Sequence, residues 1–340
     1  MAKSPVTLKE LAGRLDVAPS TISRALAGGA GVGAKKVREI RQMADAMNYR
    51  PRSMRRTLSR TLGLIIATER LDEPDDAFQS ETIYEAVRAV AGSDWHIHIE
   101  FVDRRSGSHR LPAVVREGRV DGLLLSGHPP VEFCRVLREE GVPTIVLQDT
   151  LLRTGCSCII PDVAGATESA VNHLIEMGHR RIGLVTIPTE FPTVQRRDEG
   201  YQRAMLAAGM TPAASLEVKV ASSSLHQGQV AVRQLLAGGE RPTAIVFVTD
   251  RLAVGGMTEL ARAGLRIPQD ISLIGHDNSS LAKESDPPLS SVDLNFGQTA
   301  RRAVEFLQEW IVGGAADAPT QIEVPCQVAW RASCGPVAIA

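Results

Sequence analysis

Three aspartates and an arginine stand where they could grip a small polar ligand. Asp149, Asp250 and Asp277 each close a short apolar run, and Arg197 opens the string Arg197-Asp198-Glu199-Gly200-Tyr201. Ionised carboxylates accept hydrogen bonds, and a guanidinium donates two in parallel from one planar fork. Together they suit the hydroxyls of a polyhydroxylated metabolite such as a sugar. The aspartates have a plainer reading as caps for the helices that follow them. Bond-breaking chemistry is less well supplied. Neither a G-x-x-x-x-G-K-S/T phosphate loop nor a G-x-S-x-G nucleophile turn occurs. Cys134, Cys156, Cys158, Cys326 and Cys334 are odd in number and lack zinc-like spacing, so reduced thiols are expected. His96 and His98 point to one side of an alternating strand, Trp95 to Phe101, where two metal ligands could meet; with no third nearby, a solvated face is the simpler expectation. No catalysis, cofactor or metal is expected.

Side chains at the ends of apolar runs need strands to hold them. From Thr61 onward such runs recur at 62–67, 120–125, 144–147, 182–187, 244–248 and 271–274, separated by stretches of helical period such as Ile83, Val87 and Val90. Continuous apolar strands alternating with helices predict parallel sheets covered on both faces. Pro161-Asp162 divides the strands into two groups, and Ser290-Ser291-Val292-Asp293 precedes a helix at 299–310 that returns to the first group. This layout predicts two doubly wound halves with a ligand cleft at the carboxyl ends of their strands. At 340 residues and 44% hydrophobic content, two or three domains with sizeable cores are expected. The first residues carry no apolar signal core and no stretch approaches a membrane span, so a soluble, cytoplasmic protein is expected.

A second chemistry gathers at the amino end. Residues 1–60 hold 13 Lys/Arg against 4 Asp/Glu, a net of +9, whereas the remaining 280 hold 25 against 35, a net of −10. Such a cluster is the electrostatic footprint of a phosphate-binding surface. The charge sits on a patterned segment. Thr7-Leu8-Lys9-Glu10 fits a capping box, Leu8, Leu11, Ala12 and Leu15 share one face, and Pro19 occupies the first position of a second helix running to about Ala27. Two short helices joined by a tight turn predict a helix-turn-helix. A third helix, with Val37, Ile40, Ala44 and Met47 in period behind Gly33, closes its core. The second helix keeps Ile22, Ala25 and Leu26 for packing and leaves Ser20, Thr21, Ser23 and Arg24 for another surface, narrow enough to enter a DNA major groove.

Val6-Thr7-Leu8, Thr21-Ile22-Ser23-Arg24 and Asn48-Tyr49-x-Pro51, followed by an arginine-rich connector into the strand from Leu62, closely resemble the lactose-repressor (LacI/GalR) family. Further markers in order are Val120-Asp121-Gly122, Gly178-His179-Arg180-Arg181-Ile182, Arg197-x-x-Gly200-Tyr201, Arg241-Pro242-Thr243, Gly275-His276-Asp277-Asn278 and Asp286-Pro287-Pro288-Leu289, so the resemblance covers nearly the whole chain. It implies an all-α helix-turn-helix head plus an α/β periplasmic-binding-protein-like core of two doubly wound parallel-sheet subdomains. The implied layout is a head at 1–48, a hinge helix at 49–60 and a core at 61–340, with one subdomain at about 61–161 and 293–320 and the other at about 162–292 and 321–340.

The resemblance further implies a homodimeric transcription regulator, a repressor by family habit, that binds double-stranded operator DNA and answers to a sugar-like effector. Its DNA-binding residues would be Thr7, Pro19, Ser20, Thr21, Ser23, Arg24, Asn48, Tyr49, Arg52, Arg55 and Leu58. Leu58 would be the wedge pushed into the minor groove, where an apolar side chain unstacks a base step and bends the duplex; it could instead be a core leucine beneath the first strand. The effector would meet Phe78, Asp149, Arg197, Asp250 and Asp277. Two departures from the family pattern are Ala18, where a capping serine is usual, and Arg55, where a small residue is usual. The acidic string Asp72-Glu73-Pro74-Asp75-Asp76 beside Phe78 argues against a strongly anionic effector, whereas Arg196, Arg197 and Arg251 leave one open. An α/β enzyme lacks the chemistry, and a transport binding protein would need a signal peptide and no basic head.

Overall fold

Leu8 opens the first helix, α1 (Leu8–Leu15), as the capping pattern predicts. A left-handed Asp16 (φ 50°) and a bond from the Val17 amide to the Ala12 carbonyl (3.2 Å) turn the chain into α2 (Pro19–Leu26), and α3 (Ala34–Ala46) follows. The computed structural model describes residues 8–26, 31–47, 58–68, 77–103, 111–188, 192–211, 213–313 and 318–337. Leu11, Ala12, Leu15, Ile22, Ala25, Ile40 and Ala44 form the buried core of the three helices. These helices lie in the first of two units, Met1–Leu58; Ser59–Ala340 is the second.

The second unit begins with β1 (Thr61–Thr68), α4 (Ala77–Val90), β2 (His96–Asp103), α5 (Ala113–Arg116), β3 (Gly122–Ser126), α6 (Val131–Glu139), β4 (Thr144–Leu147), α7 (Leu151–Thr154) and β5 (Ser157–Pro161). It continues through α8 (Val163–Glu176), β6 (Ile182–Thr186), α9 (Pro192–Ala207), β7 (Glu217–Lys219), α10 (Leu225–Ala237), β8 (Ala244–Phe247), α11 (Asp250–Arg262), β9 (Ser272–His276), α12 (Ser280–Glu284) and β10 (Ser290–Asp293), and ends with α13 (Phe296–Gly313), β11 (Gln321–Val324) and β12 (Gln327–Ala329). Two six-stranded sheets result, ordered β11-β5-β4-β3-β1-β2 and β12-β10-β9-β8-β6-β7. Strands β3, β4, β5, β6, β8 and β9 are buried along their whole length, which is why all but β5 read as continuous apolar runs. Edge strand β2 instead leaves His96 and His98 exposed, the solvated face expected of them. No cluster of three or more metal-ligating residues occurs among the described residues.

The chain crosses between lobes three times, after β5, β10 and β11. β11 pairs in parallel with β5 (Gln321 beside Cys158, Val324 beside Pro161), whereas β12 pairs antiparallel with β10. The expected boundary at 320 is therefore corrected: residues 321–324 belong to the first lobe and the third crossing falls at Pro325-Cys326. A four-residue edge strand with only Val324 buried offers no apolar run by which to assign it.

Candidate functional site

In each lobe polar side chains follow the carboxyl ends of the strands, several of them on left-handed backbone. In the first lobe Gly127 (φ 82°), His128 (φ 55°) and Gln148 (φ 60°) are left-handed. At Gly127 a Cβ would lie 2.0 Å from the Ala67 carbonyl oxygen, so only glycine fits where β1 and the turn after β3 meet. Asp149, fully buried after β4, accepts from the Thr150 amide (2.8 Å), from Arg153 Nε (2.8 and 2.7 Å) and from His128 Nδ1 (3.4 Å), with a further ion pair to the Arg153 guanidinium. Burial works against its charge, yet the hydrogen bonds from His128 and Arg153 outweigh it and hold the carboxyl below the usual aspartate range. The cap of α7 is Thr150, not Asp149.

The second lobe places Arg197 on α9, held there because Gly200 lets α9 approach α8; a Cβ at Gly200 would meet the Ala164 carbonyl at 2.3 Å. The Arg197 guanidinium donates to the Val248 carbonyl and pairs with Asp277 (3.2 Å). Its Nε is buried with no acceptor. Asp277 stands after β9 at φ 105°, its amide bonded to the Val292 carbonyl (3.0 Å). Asp250, 1% exposed, accepts from the Ser279 amide (2.8 Å), the Ser279 hydroxyl (2.8 Å) and the Ser291 hydroxyl (2.7 Å), and burial pushes its carboxyl up. Thr249 and Ser279, not the aspartates beside them, cap α11 and α12. Asp149 and Asp250 thus tie the ends of their own lobes' strands to the segments beside them, while Arg197 and Asp277 form a pair with the Arg197 Nε donor left over.

Sequence reasoning missed three features of the same region. His276, at the end of β9, is wholly enclosed; its Nδ1 donates to the Phe247 carbonyl (2.8 Å) and its Nε2 accepts from Thr167 Oγ1 (2.8 Å). Burial, then the nearby Arg197 charge, pushes it down to about 3, so it is neutral. Arg196 on α9 reaches across to Glu323 on β11 with two parallel bonds (2.8 and 3.0 Å) and approaches Asp162 at the first crossing (3.7 Å), tying the lobes together. Asp198 hangs one carboxylate oxygen on Thr186 Oγ1 (3.1 Å), buries the other without a partner and is pushed up by burial. The Gly275-His276-Asp277-Asn278 string marked His276; nothing local could announce a pair 127 residues apart.

In the first unit Pro19, Ser20 and Arg24 are exposed and Thr21 is half-buried on one face of α2, with Arg24 Nε near the Ser20 carbonyl (3.4 Å). Leu58 is 37% exposed, against its reading as a core leucine. Thr7, Asn48, Tyr49, Arg52 and Arg55 lie outside the described residues, as do the side chains of Ser23 and Phe78 and most of the expected hinge helix.

The periplasmic binding protein-like domain family matches residues 171–334. The chain is similar to the HTH-type transcriptional regulator MalR of Streptomyces coelicolor, 30% identical over 325 residues that cover 91% of each protein. Its fold is similar to that of the transcriptional regulator CelR in complex with cellobiose, with a TM-score of 0.73 and 24% identity over 96% of this chain and 99% of the other. It is also similar to the lac repressor dimer bound to operator and the anti-inducer ONPF, with a TM-score of 0.68 and 22% identity over 98% and 100% of the chains.

Proposed function

The chain belongs to the lactose-repressor (LacI/GalR) family of transcriptional regulators, and on that footing we propose that it is a homodimeric repressor whose hold on operator DNA is set by a sugar-like effector in the cleft between its lobes. The observation that carries the reading is α2: a helix of the most basic segment of the chain turns Pro19, Ser20 and Arg24 outward while Ile22 and Ala25 close the core behind it. In this reading Pro19, Ser20, Thr21, Ser23 and Arg24 enter the major groove, where small side chains offer few bonds to base edges and operator shape shares in the selection. Thr7, Asn48, Tyr49, Arg52 and Arg55 meet phosphates and the groove edge, and Leu58 is the minor-groove wedge.

Within the cleft, Arg197 and Asp277 meet the effector, and Phe78 is a further contact in this reading. Asp149 and Asp250 support the walls. CelR's complex with a disaccharide is consistent with an effector of that class. Tyr84 and Val87 on α4 and Phe101 on the adjoining β2 are 62%, 44% and 45% exposed, an apolar surface suited to a second copy of the chain. No catalytic step is needed. The described residues contain no helix long and apolar enough to cross a membrane, and a cytoplasmic setting accords with DNA as the partner.

Selection of duplexes from a random-sequence pool tests the reading, followed by gel shifts of Arg24→Ala and Leu58→Ala. Both variants are expected to lose affinity for the selected duplex while keeping the thermal transition of the core. Wild-type affinity in both would refute the head assignment.

A further inference from the structure

The chain enters the second unit through a clasp that the cleft does not require. Asp121, just before β3, accepts from the Ser59 amide (3.2 Å), the Ser59 hydroxyl (2.9 Å) and the Thr61 amide (3.3 Å). Its own amide donates to the Thr61 carbonyl (2.8 Å), so one residue grips the tripeptide Ser59-Arg60-Thr61 from carboxylate and backbone together. The Ser59 hydroxyl also lies 3.2 Å from the Arg119 carbonyl, and the Thr61 hydroxyl donates to the Ser59 carbonyl (3.2 Å).

Arg60, in the middle, is left-handed at φ 52°, a conformation that an L-residue keeps when its surroundings hold it there. Its side chain pairs with Asp94, but both partners are exposed (51% and 77%) and screened by water, so Asp121 is the stronger hold.

β3 joins this clasp to the carboxyl end of the first sheet. It starts beside Asp121 and ends at Ser126, whose hydroxyl approaches Gln148 Oε1 (3.5 Å), and it is hydrogen-bonded to β1 on one side and β4 on the other. We propose that Asp121 is the positioning residue through which the core holds the start of β1 and fixes the end of the connector to the DNA-reading head. The inference rests on the operator-binding reading above and deepens it.

The test uses the full-length protein and the duplex that the wild type selects from a random-sequence pool. Asp121→Asn preserves shape but removes the charge and turns an amide donor toward donors; Ser59→Ala removes the hydroxyl half of the clasp. Asp121→Asn is expected to weaken binding to the selected duplex about tenfold, the worth of hydrogen bonds to a charged group. Binding to an unrelated duplex, which depends on the basic surface alone, is expected to stay within about twofold. Ser59→Ala changes affinity in the same direction, and the double variant is no weaker than Asp121→Asn alone, because both act through one clasp. Retention of the wild-type preference by both single variants overturns the proposal. So does an equal loss on both duplexes with a lowered core transition, the mark of a merely structural role. Should the wild type enrich no duplex at all, the operator-binding reading fails instead.

Discussion

Arg197 spends its terminal nitrogens on the Val248 carbonyl and Asp277 and leaves its buried Nε with nothing to donate to. A buried donor without an acceptor costs about 1–3 kcal/mol, and in the proposed reading an effector oxygen would offset that cost. Arg197→Ala is expected to abolish the thermal stabilisation given by any active compound in a sugar and sugar-phosphate panel, with binding to the selected duplex kept. A ligand shift that survives the substitution would move the effector elsewhere. His276 supplies a pH signature. Its folded value is pushed down to about 3 from an ordinary 6.5, so between those limits the unfolded chain binds a proton that the folded chain refuses. Stability conferred by neutral His276 is thus present above pH 6.5 and lost as pH falls, with a slope of up to about 1.4 kcal/mol per pH unit. Thermal unfolding between pH 4 and 7 checks this: His276→Gln is expected to flatten the acid limb, and an unchanged limb would assign it to other groups.

At the scale of elements, what could be read from the sequence followed burial. Helices α1 and α2 announce themselves through the Leu8-Leu11-Leu15 stripe and the placement of Pro19, and β1, β3, β4, β6, β8 and β9 through apolar runs that are buried on both faces. β7, β11 and β12 have three or four residues with mixed exposure, so no periodicity marks them, and the lobe boundary near 320 was misplaced for that reason. The cleft was legible in part. Aspartates at strand ends point to it, but the capping role that was the alternative reading of them belongs to Thr150, Thr249 and Ser279, one or two residues away, because a hydroxyl there meets the third helical amide. Turn geometry gives an element-level prediction. Gly127→Ala forces a Cβ against the Ala67 carbonyl at left-handed φ and is expected to cost at least about 2 kcal/mol by chemical denaturation. A neutral result would mean that the β1–β3 junction yields readily and does not fix His128.

The whole molecule joins a segment of net charge +9, residues 1–60, to a body of −10. Three crossings and the Arg196–Glu323 pair link the two lobes of that body, so an effector touching Arg197 acts one residue from the bond that spans them. Ligand control then needs only unequal affinity for two closures of the cleft. The charge asymmetry alone would give indiscriminate, salt-sensitive DNA binding, whereas the exposed face of α2 and the wedge proposed at Leu58 would add sequence preference. The most direct measurement is competition binding of the full-length protein to a pool-selected duplex against random duplex at moderate salt. The account predicts a preference of about a thousandfold or more, lowered by Arg24→Ala. Equal affinity for selected and random duplex, with or without members of the sugar panel, would contradict it.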